Sequence, residues 1–216
     1  MIIAGVEEAG RGPVIGPMVM TGVMLEEEKI KKLQSIGVKD SKLLTPQKRE
    51  ELFDFVCAIV KKHHTIILSP TQIDNALESK EINLNWLEAI TSAKILNKLR
   101  PDKAILDCPS NNIVAYANYV KNLLEHEMIL VCEHKADLNH TIVAAASIIA
   151  KVTRDRIIND LKQKVGSDFG SGYPSDPKTQ AFLSKNYDRY DIFRKSWSSY
   201  KRIVESKKQK GILDFK

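Results

Sequence analysis

The chain has 216 residues, 43% hydrophobic and 28% charged, with a formal net charge of +6, so it can bury one full core, and its basic balance permits a nucleic-acid partner without requiring one. The longest nearly apolar run, Ile142 to Ala150, is too short to cross a bilayer, and acids at positions 7 and 8 rule out a signal peptide. Three cysteines (Cys57, Cys108, Cys132), odd in number and without a CxxC pair, argue against a disulfide framework, so a soluble, cytoplasmic chain is expected.

In chain order, strand-like runs cover Ile2–Val6, Met18–Met24, Thr65–Leu68, Lys103–Leu106 and Met128–Cys132. A Gly/Pro-rich turn between the first two predicts an antiparallel pair, and Met18, Met20 and Met24 fall on one strand face as core. Thr45-Pro46 reads as a helix start, with Leu52, Phe53, Val56, Ile59 and Val60 following at helical spacing. Further helices are predicted over Trp86–Leu99, Ile113–Leu124, Ile142–Lys162 and Lys178–Ser184, with residues 166–175 a loop. The later strands alternate with helices, which predicts parallel crossovers and an α/β fold. Residues 194–210 hold seven Lys or Arg against one acid, Glu205, so the basic excess is C-terminal. A solvated helix end is the plain reading of that run.

The most informative stretch is Gly5-Val6-Glu7-Glu8-Ala9-Gly10-Arg11-Gly12-Pro13. Carboxylates at the end of a buried strand are costly unless a cation meets them. Mg²⁺, held by one or two carboxylates and phosphate oxygens, is the usual solution. Gly-Arg-Gly offers open backbone and a cation suited to phosphate. A nuclease or phosphotransferase follows, with a solvated acidic turn as the bland alternative. Asp107 also ends an apolar run, and Asp137 precedes an Ala-rich helix. Five histidines show no zinc spacing with cysteines, and no serine sits in a G-x-S-x-G elbow.

The opening motif resembles that of ribonuclease HII, a type 2 ribonuclease H. Lys39-Asp40-Ser41-Lys42-Leu43, Asp107, Lys135-Ala136-Asp137, the run Ala144 to Val152, Gly172 to Pro177 and Arg194-Lys195-Ser196-Trp197 extend the likeness in the same order over roughly residues 1 to 200, in a style closer to archaeal members. The resemblance implies a ribonuclease H-like fold: a mixed five-stranded sheet flanked by helices, with the first and fourth strands adjacent. It implies a catalytic domain over 1–193 and a basic C-terminal helix and tail over 194–216. Glu7, Glu8, Asp107 and Asp137 are then the catalytic ligands of two divalent ions, Mg²⁺ or Mn²⁺. The substrate is an RNA–DNA hybrid, or DNA with embedded ribonucleotides, cut to 5′-phosphate and 3′-hydroxyl ends. Gly10, Arg11 and Gly12 would contact the 2′-OH and a phosphate through their backbone, Lys42 a phosphate, and Tyr173 the next sugar. Ser147 and Lys151 are further candidates for backbone contact.

One residue departs from the family pattern: position 7 carries Glu where the family has Asp. The added methylene moves the carboxylate by about 1.5 Å, so the alternative is a hybrid-binding protein with weakened turnover. A resolvase- or integrase-type nuclease is a third reading, disfavoured by Gly-Arg-Gly with Tyr173. Gln209, Ile212 and Phe215, spaced by three and three, resemble the peptide that docks on replication sliding clamps. Such an end would form one 3₁₀ turn, tethered by Glu205–Lys210. A monomer with no membrane contact is expected.

Overall fold

The apolar opening forms β1 (Ile2–Ala9) and, after the Gly/Pro turn, β2 (Met18–Glu26). The architecture is that of a computed structural model, which describes residues 1–38, 44–79 and 81–213, with side chains described through residue 209. The two strands pair antiparallel, with Glu7 opposite Thr21 and Glu8 opposite Met20. The first strand was expected to end at Val6 but runs on to Ala9, because the acids stay in the ladder with β2. Glu7 and Glu8 therefore project from opposite faces of one strand.

The remaining strands are β3 (Lys62–Leu68), β4 (Lys103–Asp107) and β5 (Ile129–Glu133), in the spatial order β3-β2-β1-β4-β5. β4 lies parallel to β1, and β5 parallel to β4. The expected mixed sheet and the β1/β4 neighbours are both present. β3 differs from expectation, since it pairs antiparallel with β2 despite the helices between them. The chain returns to the end of β2 that it left, where the Lys61 amide donates to the Met24 carbonyl at 2.8 Å.

A 3₁₀ turn (Glu27–Lys29), α1 (Ile30–Ser35) and α2 (Pro46–Ile59) follow β2. α3 (Pro70–Glu78) and α4 (Leu84–Leu99) precede β4, and α5 (Ile113–Asn122) precedes β5. Then come α6 (Ala136–Asn139), α7 (Thr141–Val165), α8 (Pro177–Asn186) and α9 (Ser198–Leu213). The starts are written in caps. Thr45 accepts from the Lys48 amide at 3.1 Å, and Ser69 with Gln72 forms a reciprocal capping box at α3. Glu205–Lys210, expected as a tether, is helical within α9.

One sheet face is buried by α1, α2 and α7 through Leu33, Val56, Ile148 and Val152. The other is buried by α3, α4 and α5 through Ile73, Leu96 and Tyr116, against Met18, Met20 and Met24. α7 crosses β1 at Gly5, where a Cβ would lie 2.6 Å from the Ile142 carbonyl carbon. The absent side chain lets the first turn of α7 rest on the strand that carries Glu7. A third apolar cluster (Val14, Ile15, Ile158, Phe169, Phe182, Phe193) joins the turn after β1 to the end of α7, α8 and α9. It sets the C-terminal third of the chain beside the end of β1.

Candidate active site

β1 and β4 run side by side with Val6 opposite Leu106, so Glu7 and Asp107 are the next residues on adjacent parallel strands. Asp107 Oδ1 accepts from the Ala136 amide at 2.7 Å, which fixes the first turn of α6, where Asp137 sits. Glu133, the last residue of β5, binds the same segment through His140 Nε2 (2.9 Å) and Asn139 Nδ2 (3.0 Å). Glu7 is 6% and Asp137 1% exposed.

Burial, followed by repulsion from Glu8, Asp107 and Asp137, holds the Glu7 carboxyl well above the usual range, with Lys151 opposing. Burial and Asp107 push Glu8 up to about 7. Glu7 Oε2 is buried with no hydrogen-bond partner among the described residues. Such a donor set fits divalent cations, which prefer oxygen ligands and remove the repulsion. Among the described residues, no group of three or more His, Cys, Asp or Glu is arranged to hold a metal ion.

The Gly10–Gly12 turn begins directly after these acids. Gly10 has φ +82°, and a Cβ there would meet Arg154 Nε at 2.0 Å, so only glycine fits. The Arg11 side chain does not offer its guanidinium to the cleft as a free cation. Its Nε donates to Glu88 Oε1 at 2.8 Å and its Nη2 to Asn85 Oδ1 at 2.7 Å, tying the turn to α4. Glu88 is 1% exposed, and burial with the nearby Glu8 pushes its carboxyl well up.

An open cleft of about 790 Å³ runs from Glu7, Glu8 and Asp107 past Gly10–Gly12 to Gly170, Ser171 and Tyr173, with Arg49, Lys151 and Lys162 along its other wall. Tyr173 is 43% exposed, and its ring edge lies 3.3 Å from where a Cβ on Gly12 would be. Lys151 Nζ donates to the buried Ser147 Oγ at 3.0 Å on α7.

The structure therefore gathers Glu7, Glu8, Asp107, Gly10, Arg11, Gly12, Lys151 and Tyr173 around one cleft, with Asp137 buried behind it. Lys42 and Phe215 lie outside the described residues. Gln209 and Ile212 sit on α9, apart from the cleft lining. Sequence reasoning gave no role to Glu88, Asn85, Arg154, Arg194 or Trp197, which hold the turn from within. Arg154 was legible as the residue three positions after Lys151 on one helix face, whereas Glu88 carried no local signal.

A family model described as Ribonuclease HII matches residues 4–200. A ribonuclease HII of Pyrococcus horikoshii is 45% identical over 211 residues, covering 95% of this chain and 94% of that one. The crystal structure of the ribonuclease H2 from Pyrococcus horikoshii OT3 superposes with a TM-score of 0.89 at 43% identity, over 95% of this chain and 98% of that one. The enzyme in the PCNA:RNase HII complex from Archaeoglobus fulgidus gives 0.83 at 37% identity, over 92% and 96%.

Proposed function

The chain belongs to the ribonuclease HII family, hence to the endoribonucleases, and on that premise we propose that it cuts the RNA strand of RNA–DNA hybrids and also cuts at single ribonucleotides embedded in DNA. The observation that carries this reading is the cleft itself, with acids at one end, exposed glycine backbone in the middle and an aromatic ring beyond. Glu7, Glu8, Asp107 and Asp137 would hold two divalent ions, Mg²⁺ or Mn²⁺. When bound, such ions supply the positive charge and Lewis acidity for an in-line displacement at phosphorus.

The chain's own residues do the selecting. Backbone amides of the Gly10–Gly12 turn bind the 2′-OH, which alone separates ribose from deoxyribose. Tyr173 packs on the following sugar, where a deoxyribose lies flatter on the ring. Lys151, held by the buried Ser147 hydroxyl, supports the carboxylate cluster and faces the phosphate backbone. Lys42, from the neighbouring motif, is a further phosphate contact. Water attacks, so the ends are 3′-hydroxyl and 5′-phosphate.

A duplex with one ribonucleotide, incubated with Mg²⁺ and then Mn²⁺ and resolved on a sequencing gel, tests this. Cleavage at that nucleotide supports it, and a 2′,3′-cyclic phosphate product overturns it. A second reading rests on Glu7, whose longer arm shifts its carboxylate relative to the family aspartate. It is a hybrid-binding protein with weakened turnover, and binding without cutting in both metals would favour it.

Gln209 and Ile212 both fall within α9. A relative has been solved with PCNA, which supports a sliding clamp as a partner; the spacing of Gln209, Ile212 and Phe215 makes the C-terminal end the proposed docking segment. No helix among the described residues is long and apolar enough to cross a membrane.

A further inference from the structure

The carbonyls of residues 10–17 turn almost uniformly inward. Arg194 Nη2 donates to the Gly10 carbonyl at 2.6 Å, Nη1 to that of Arg11 at 3.0 Å and Nε to that of Gly16 at 3.0 Å. Trp197 Nε1 donates to the Gly12 carbonyl at 3.0 Å. The Arg194 amide donates to the Val14 carbonyl at 2.8 Å. Arg154 donates to the Ile15 and Pro17 carbonyls, both at 3.2 Å. The amides of Arg11 and Gly12 have no intramolecular acceptor among the described residues.

Arg194 is 0% exposed and lies 4.7 Å over the Trp197 ring. The residues after it are clamped in turn. Asp74 of α3 accepts from the amides of Lys195 (2.7 Å) and Ser196 (2.9 Å). A buried guanidinium is expensive unless all its donors are used. Here all three nitrogens donate to carbonyls on one side of one turn, which orients its peptide dipoles.

We propose that Arg194 and Trp197 are positioning residues for ribose recognition. By holding the carbonyl side of Gly10–Gly12 from beneath, they aim the amides of that turn into the cleft. This rests on the reading above that the turn senses the 2′-OH. Preorganised amides bind an oxygen without first reorienting, and a shift of about 1 Å at such a site costs on the order of 10²-fold. The first wall of the specificity site is thus built by the C-terminal Arg-Lys-Ser-Trp segment, 180 residues downstream of the turn.

The test uses the full chain. Trp197→Phe keeps the ring under Arg194 and removes only the bond to the Gly12 carbonyl. Arg194→Lys keeps the charge and loses the fork. Binding is measured in Ca²⁺ to two duplexes, one all-DNA and one with a single ribonucleotide, alongside cleavage in Mg²⁺ and the melting temperature. Trp197→Phe should lower the ribonucleotide-to-DNA affinity ratio about 5-fold, as expected for one lost hydrogen bond. Arg194→Lys should lower it further, with the all-DNA affinity falling less than the ribonucleotide affinity in both. A merely structural role lowers the melting temperature and leaves the ratio intact, which overturns the proposal. If the wild type itself shows no preference for the ribonucleotide duplex, the reading of the turn as a ribose sensor fails instead.

Discussion

The clustered acids should make the metal-free protein more stable in mild acid than in mild alkali. Glu8 is raised from 4.5 to about 7 and Glu7 is held well above its usual value, both chiefly by burial. A carboxyl raised on folding holds its proton more tightly in the native state. Its contribution to stability is full below the unfolded value near 4.5 and is lost as pH rises through the folded value. For Glu8 alone, 2.5 pKa units at 1.36 kcal/mol each give about 3 kcal/mol lost between pH 4.5 and pH 8. At roughly 2–4 °C per kcal/mol for a chain of this size, the melting temperature in EDTA should fall by about 5–10 °C from pH 5 to pH 8. His64, lowered chiefly by burial, acts in the opposite direction below its usual range. Asp168 and Asp176, lowered by hydrogen bonds, lose their contributions only below about pH 4. Divalent ions need the deprotonated acids, so millimolar Mn²⁺ should raise the melting temperature far more at pH 8 than at pH 5. Scanning calorimetry at the two pH values, with EDTA and with Mn²⁺, reads both effects, and Glu8→Gln should flatten the metal-free difference. A metal-free protein that melts higher at pH 8, or a Glu8→Gln variant with the full wild-type difference, would refute the reasoning.

Glu7→Asp should raise the Mg²⁺-supported rate by up to about 10²-fold, because it restores the shorter arm; an unchanged rate in single-turnover assays would mean that the site has adapted to glutamate. Asp107→Asn should lose at least about 10²-fold in rate, since it removes a ligand charge and weakens the bond that holds the Ala136 amide; full activity would remove it from the site. Tyr173→Ala should impair cleavage of a single embedded ribonucleotide more than cleavage of a continuous hybrid, and equal losses would assign it to general binding. Removing residues 211–216 should abolish calorimetric binding to a sliding clamp while leaving cleavage of short duplexes intact.

The sequence by itself determined the elements whose signals are local. The five strands, the cap at Thr45 and the long α7 all follow from apolar period and end chemistry. The Ser69-Pro70 start with Gln72 three residues on encodes α3 as well, a short helix that the apolar pattern alone does not mark. Glu7, Glu8, Asp107 and Asp137 were legible because a carboxylate beside an apolar strand or helix needs a reason to be there. The tertiary structure alone decided three things. It brought β3 back antiparallel to β2, since the helices between them return the chain to the end it left. It turned Arg11 inward, because Glu88 and Asn85 on α4 offer its guanidinium paired acceptors and their distance along the chain hides them. It recruited Arg194 and Trp197 to the Gly10–Gly12 turn, because carbonyls on one side of a turn are matched by donors only where the packing of a distant segment delivers them. Local periodicity writes the elements, but a site built from residues about 180 apart exists only once the core has folded around it.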